Sequence, residues 1–204
     1  MTAMEQLRST TREAHRSIEG LVFAQALMRG TVSRQAYIGQ LEAYRRVHVA
    51  VEEALERSRD QLVRSVYSPS MRRSGDVALD LQALGGTGAL PTEVEEVVSR
   101  VEARVAGDAG AGLLGRLYVL EGSRRGGLIL RRCVQEPLGL SDGELKYFTG
   151  YGEGTSQALD GFTERMNAAL SGALDEAAAI EGAQRMFADV AEILRTLGDC
   201  KLAA

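Results

Sequence analysis

The chain has 204 residues, 45% of them hydrophobic and 25% charged, with a formal net charge of -4. That length supports one domain with a sizeable core, and the acidic balance, with arginines interspersed among glutamates, excludes a phosphate-tracking nucleic-acid surface. No window reaches the ~18 consecutive apolar residues of a membrane span, and Cys133 and Cys200 form no CxxC pair, so the reading is a cytoplasmic protein with two reduced thiols and no membrane or nucleic-acid partner.

The N-terminal stretch "MTAMEQLRSTTREAH" is charged, lacks a signal-type apolar run, and continues as a helix with Met4, Leu7, Thr11, Ala14, His15 and Ile18 on one stripe. A short helix "FAQALMRG" ends at Gly30, a C-cap residue. Ser33 caps a long helix that carries Tyr37, Leu41, Tyr44, His48, Val51 and Leu55 in register. A polar region follows, and its second half is helical up to Gly85-Gly86. "PTEVEEVVSRVEARVAG" opens with Pro91 and the pattern of a capping box, Thr92 with Glu95. A glycine-bearing helix runs from Gly107 to about Gln135. "SDGELKYF" opens with a second capping-box pattern, Ser141 with Glu144, and two helices close the chain. No strand pattern competes. The expected architecture is a single all-α domain over residues 1–204.

The segment "LYVLEGSRRGGLIL", Leu117 to Leu130, is unusual for a helix. Gly122, Gly126 and Gly127 lie within six residues, and each costs ~1 kcal/mol relative to alanine. Glycine permits close helix packing, a break between helices, or a flat ligand lying against the backbone. A ligand sandwiched there needs a second wall. Only two histidines exist, so an imidazole ligand comes from His15 or His48. Glu19 sits one turn beyond His15 and can accept its second N–H, which would fix the tautomer. Arg8 and Arg12, on the same helix, are both candidates for meeting a ligand carboxylate.

Together these pieces resemble the heme oxygenase family. "LRSTTREAHRSIEG" is similar to its proximal-helix pattern, and "YVLEGSRRGG" to the distal helix of its bacterial branch, which includes members found beside phytochromes. "FTERMN", with the later stripe that bears Phe187, resembles the closing helices. The likeness spans about residues 5 to 198 and is loose between 60 and 110. It implies a heme-oxygenase-like fold, with heme b sandwiched between a proximal helix and a kinked, Gly-rich distal helix. It implies His15 as the iron ligand, Glu19 as its partner, Arg8 as a propionate contact and Phe187 beside the cofactor. Gly122, Ser123, Gly126 and Gly127 would form the catalytic distal face. The implied reaction uses O₂ and electrons from ferredoxin or a similar redox partner to cleave heme to biliverdin, CO and Fe²⁺. A bacteriophytochrome is an implied biliverdin acceptor. A non-catalytic tetrapyrrole binder on the same fold is the alternative.

Several residues depart from the family pattern. Ser123 stands where many members have aspartate, a serine that the bacterial branch shares. Arg125 replaces a small or apolar residue and is expected to reach a propionate, a carboxylate or solvent, as a helix-surface arginine does. Leu159 stands in place of a frequent tryptophan. His48 lies near where some relatives place a distal tyrosine.

Overall fold

The computed structural model describes residues 1–200, which form nine α-helices and no strands. α1 (Ala3–Glu19) begins at Thr2, whose hydroxyl accepts from the Glu5 N–H while Glu5 caps the Thr2 N–H in return. Its buried stripe is Ala3, Met4, Leu7 and Thr11. α2 (Val22–Arg29) stops at Gly30, where φ is 66° and an added Cβ would run into Pro137 and the Cys133 carbonyl, so glycine is required twice over. α3 (Arg34–Arg57) is capped by Ser33, whose side chain accepts from the Ala36 N–H.

α4 (Gln61–Val66) is a single short helix capped by Asp60, between the long helix and the polar region, where the sequence reading assigns no element. α5 (Ser74–Leu84) ends at the left-handed Gly85. α6 (Thr92–Ala106) takes Pro91 as its N-cap, and the expected Thr92–Glu95 box does not form. Glu95 instead binds Arg46 of α3, an ion pair that ties two helices together. The Ser141–Glu144 box does form, but it opens a 3₁₀ turn rather than an α-helix. Three such turns cover Asp142–Gly154, before α8 (Thr155–Ala169).

The frame of the molecule is the pairing of α7 (Gly110–Gln135) with α9 (Ala173–Asp199), the most extensive helix contact. Here glycine does serve close packing, at positions other than the sequence motif. A Cβ on Gly115 would overlap the Ala179 carbonyl, and one on Gly182 would overlap the Gly112 carbonyl. Backbone meets backbone, which only glycine allows. The crossing is locked by Arg116, fully buried, which binds Asp108 and donates to Asp189 at 2.6 Å. Arg104 of α6 reaches the same Asp189 at 2.7 Å. Buried arginine is tolerated because the carboxylates pair it. Among the described residues, no helix is long and apolar enough to cross a membrane.

Candidate functional site

α1 and the second half of α7 both contribute walls to one cavity. Its volume is about 500 Å³, within the range that holds a sizeable organic ligand. Arg8, His15, Glu19, Gly122, Ser123, Gly126, Gly127 and Phe187 all border it, and Arg12 does not. His48 and Leu159 border it too.

On the α1 wall, His15 Nδ1 lies 3.4 Å from Glu19 Oε1. The two are within ion-pair reach without a formed hydrogen bond in the ligand-free chain; closing that contact would place the proton on Nδ1 and leave the Nε2 lone pair for a ligand. The Phe187 ring meets the imidazole edge-on, with centroids 6.0 Å apart, and limits its rotation. The imidazole is 63% exposed, so it is available to a ligand.

On the α7 wall, the helix is uninterrupted from Gly110 to Gln135, so the glycines do not end it. A Cβ on Gly122 or Gly126 would meet nothing within 4 Å. Those two positions are therefore free of packing demands, in contrast to Gly115. Gly127 differs: its missing Cβ faces Phe148 at 3.3 Å, so it serves packing against the 3₁₀ segment as well as bordering the cavity.

Beside this bare stretch lies a polar cluster. Arg73, buried, donates from Nη1 to Ser123 Oγ at 3.0 Å and from Nη2 to the Tyr147 carbonyl. Its guanidinium sits 4.0 Å above the Tyr147 ring. Ser123 donates to the Leu120 carbonyl at 2.7 Å, so its hydroxyl proton is committed and its oxygen acts as an acceptor. His48 Nε2 is 3.3 Å from the Tyr147 hydroxyl. Burial lowers the His48 pKa, with Glu52 opposing and Arg73 assisting, and the ring stays neutral. Burial pushes Glu52 up, but hydrogen bonds from His48, the Ser74 hydroxyl and the Arg73 N–H outweigh it and hold the carboxylate at about 2. Burial also raises the Tyr147 phenol, which keeps its proton. Gln40 Oε1 is buried without a protein partner, on a side chain that borders the cavity.

The two arginines of the motif part company. Arg124 is buried. It donates to Glu121 at 2.8 Å and to the Met71 carbonyl at 2.6 Å, and it stacks on Tyr151, whose hydroxyl also binds Glu121. Arg125 is exposed at the cavity. Arg73, Tyr147 and Gln40 are cavity residues that the sequence pattern does not single out. Arg73 sits in the polar stretch before α5, where no periodicity marks it.

The sequence matches the family model described as heme oxygenase over residues 1–196. No curated protein sequence matches the chain. Among solved structures, heme oxygenase-1 of the cyanobacterium Synechocystis in complex with heme is 21% identical, with a TM-score of 0.81, 98% of this chain covered and 94% of that one. The heme oxygenase of Leptospira interrogans is 25% identical, with a TM-score of 0.79 and coverage of 96% and 100%. Heme oxygenase-2 of Synechocystis, with heme and NO, is 21% identical, with a TM-score of 0.86 and coverage of 98% and 86%. With the family pattern matched over nearly its whole length, on the all-helical fold that these structures share, the chain belongs to the heme oxygenase family.

Proposed function

We propose that this protein binds heme through His15 and cleaves it oxidatively to biliverdin, CO and Fe²⁺, with O₂ and electrons from an external donor such as ferredoxin. The observation that carries the reading is the pairing across one cavity. An accessible imidazole, oriented by Glu19, faces the side-chain-free stretch at Gly122 and Gly126. The residues present fit a flat macrocycle: a single nitrogen ligand on one wall, bare backbone on the other, and Phe187 with apolar side chains around them.

Heme, when bound, supplies the iron that activates O₂ and the ring carbon that is attacked. A neutral imidazole ligand suits that outcome better than a thiolate, which favours O–O cleavage. The chain's own groups hold water and protons. Ser123 Oγ, fixed by Arg73 and by Leu120, offers an acceptor lone pair toward the cavity. Gln40 Oε1 offers another. The His48–Tyr147 contact sets two neutral groups in one hydrogen-bonded chain that can orient water; burial disfavours the charged form of each, so neither gives up or takes a net proton. Bacteriophytochrome as an acceptor of the biliverdin is proposed on the sequence resemblance alone.

The test is a hemin titration of the wild type and His15→Ala, followed by ascorbate or a ferredoxin system in air. The expected result is a saturable one-to-one Soret band that weakens or shifts in His15→Ala and gives way to a biliverdin spectrum with release of CO. A His15-dependent band that persists under reductant, with no CO, would make the protein a heme binder instead. Absence of saturable binding would overturn both.

A further inference from the structure

We infer that Arg125 is a second carboxylate-binding arm of this pocket, acting with Arg8 from the opposite wall, and that the pair fixes how the ring is turned in its plane. The inference rests on the reading of the cavity as a heme site.

Three guanidinium groups border the cavity, those of Arg8, Arg73 and Arg125. Both terminal nitrogens of Arg73 are engaged, by Ser123 and the Leu120 and Tyr147 carbonyls, and only its buried Nε lacks a partner. Arg8 and Arg125 have neither an ion-pair nor a hydrogen-bond partner among the described residues. Their state contrasts with that of Arg124, the residue before Arg125 on α7, which is buried and bound to Glu121, the Met71 carbonyl and the Tyr151 ring. Successive helical residues point about 100° apart, so one arginine of the pair braces the helix and the other is left to the cavity.

Nothing screens Arg125 from that space. Gly122 lies three residues earlier on the same face and Gly126 follows directly, and both are bare toward the opening. The walls around them are largely apolar, with Val47, Leu120, Ile129, Leu130 and Phe187. Two acids share the lining. Glu19 is occupied by His15, and Asp160 is the single competitor for Arg125. An unpaired cation on each of two facing walls matches a ligand that carries two carboxylates, and the guanidinium fork binds carboxylate in a paired geometry. A porphyrin ring is close to four-fold symmetric except at its edge groups. Whatever grips its carboxylates therefore decides which bridging carbon lies beside Ser123 and the polar cluster.

The test compares hemin with hemin dimethyl ester, in which both carboxylates are neutralised, by Soret titration of the wild type, Arg8→Gln, Arg125→Gln and Arg125→Lys. Biliverdin isomers are then separated after turnover. Arg125 is exposed, so these variants are expected to fold, and apo melting curves check it. The expected result is a preference for the diacid that falls about tenfold in Arg125→Gln, in line with loss of one charge-assisted hydrogen bond. It should be partly regained in Arg125→Lys, with a changed isomer ratio in Arg125→Gln. An unchanged preference together with an unchanged isomer ratio in Arg125→Gln would overturn the inference. Failure of the wild type to bind either compound would overturn the proposed function itself, a distinguishable result.

Discussion

Arg73 and Arg124 grip the same turn of α7 from opposite directions. Arg73 comes from the segment before α5 and donates to Ser123 and Leu120 on α7. Arg124 leaves α7 and returns to the Met71 carbonyl, two residues from Arg73. Both also reach the 3₁₀ segment, Arg73 through Tyr147 and Arg124 through Tyr151. Three separate pieces of chain are thus knitted around the turn that carries Gly122 and Ser123.

Replacing Arg73 with Met should therefore do two things. It leaves the Tyr147 carbonyl and Ser123 short of a buried donor, costing about 2–3 kcal/mol of stability, since hydrogen bonds from charged groups are worth roughly 1.5–3 kcal/mol. It also frees Ser123 Oγ, which should move the acid–base midpoint of the ferric heme spectrum. Ser123→Ala should move the same midpoint while costing only about 1 kcal/mol in urea unfolding. A spectral pH profile identical in wild type and Arg73→Met would show that the arginine only supports the fold.

The glycines separate by what surrounds them. Gly115→Ala pushes a methyl group into the Ala179 carbonyl, where backbone must give way. It should destabilise the apo protein by about 3 kcal/mol or more, the upper range for overpacking. Gly122→Ala adds a methyl group to open space. In the apo protein it should be neutral to stabilising by up to ~1 kcal/mol through helix propensity, yet weaken hemin binding because the methyl group occupies ligand space. Paired urea and hemin titrations decide it. Unchanged hemin affinity in Gly122→Ala would remove the ligand from the explanation of the motif.

This contrast also shows what sequence could and could not reveal. The helical stripes, Ser33 and the glycine stops at Gly30 and Gly85 are local signals, and local chemistry sets them. His15 with Glu19, and the Gly122–Gly127 run, are each contained in one helix, so their spacing was visible. Gly115 and Gly182 became intelligible only once α7 and α9 crossed. Arg73 gave no signal, because its partners lie about 50 and 74 residues away in sequence. The Thr92–Glu95 box failed for a related reason: the carboxylate that would have capped α6 is drawn to Arg46 on another helix.

The His48–Glu52 pair predicts how stability depends on pH. The folded His48 titrates below its ordinary 6.5, because burial disfavours the charged ring. As pH falls past 6.5 the unfolded chain takes up the proton first, so stability is lost from there downward. Glu52 titrates at about 2 when folded against an ordinary 4.5. Its contribution is complete above 4.5 and is lost as pH falls toward 2. Both effects have the same sign, and they should appear as two successive declines on acidification. His48→Gln should remove the first decline and keep the second. Urea midpoints measured from pH 8 to pH 2 provide the check. A wild-type midpoint that stays flat between pH 7 and pH 5, or an equal fall in His48→Gln, would count against a buried neutral imidazole.

Glu19 offers the most direct probe of the proximal wall. Its carboxylate lies 3.4 Å from His15 Nδ1, on a pair that is open to solvent in the ligand-free chain. In water such a pair contributes little, so Glu19→Gln should leave the apo melting temperature within about 1 °C, as expected of a surface substitution. With heme bound, the same carboxylate would set the tautomer and basicity of the ligating ring, and partners of this kind are worth about 10–100-fold in metal affinity. Exposure places Glu19 at the lower end, so hemin should dissociate about tenfold faster from Glu19→Gln. The iron–histidine stretch of the ferrous form should shift to lower frequency as the acceptor of the imidazole N–H loses its charge. A variant with the wild-type stretch and wild-type dissociation rate would show that Glu19 stands beside His15 without orienting it.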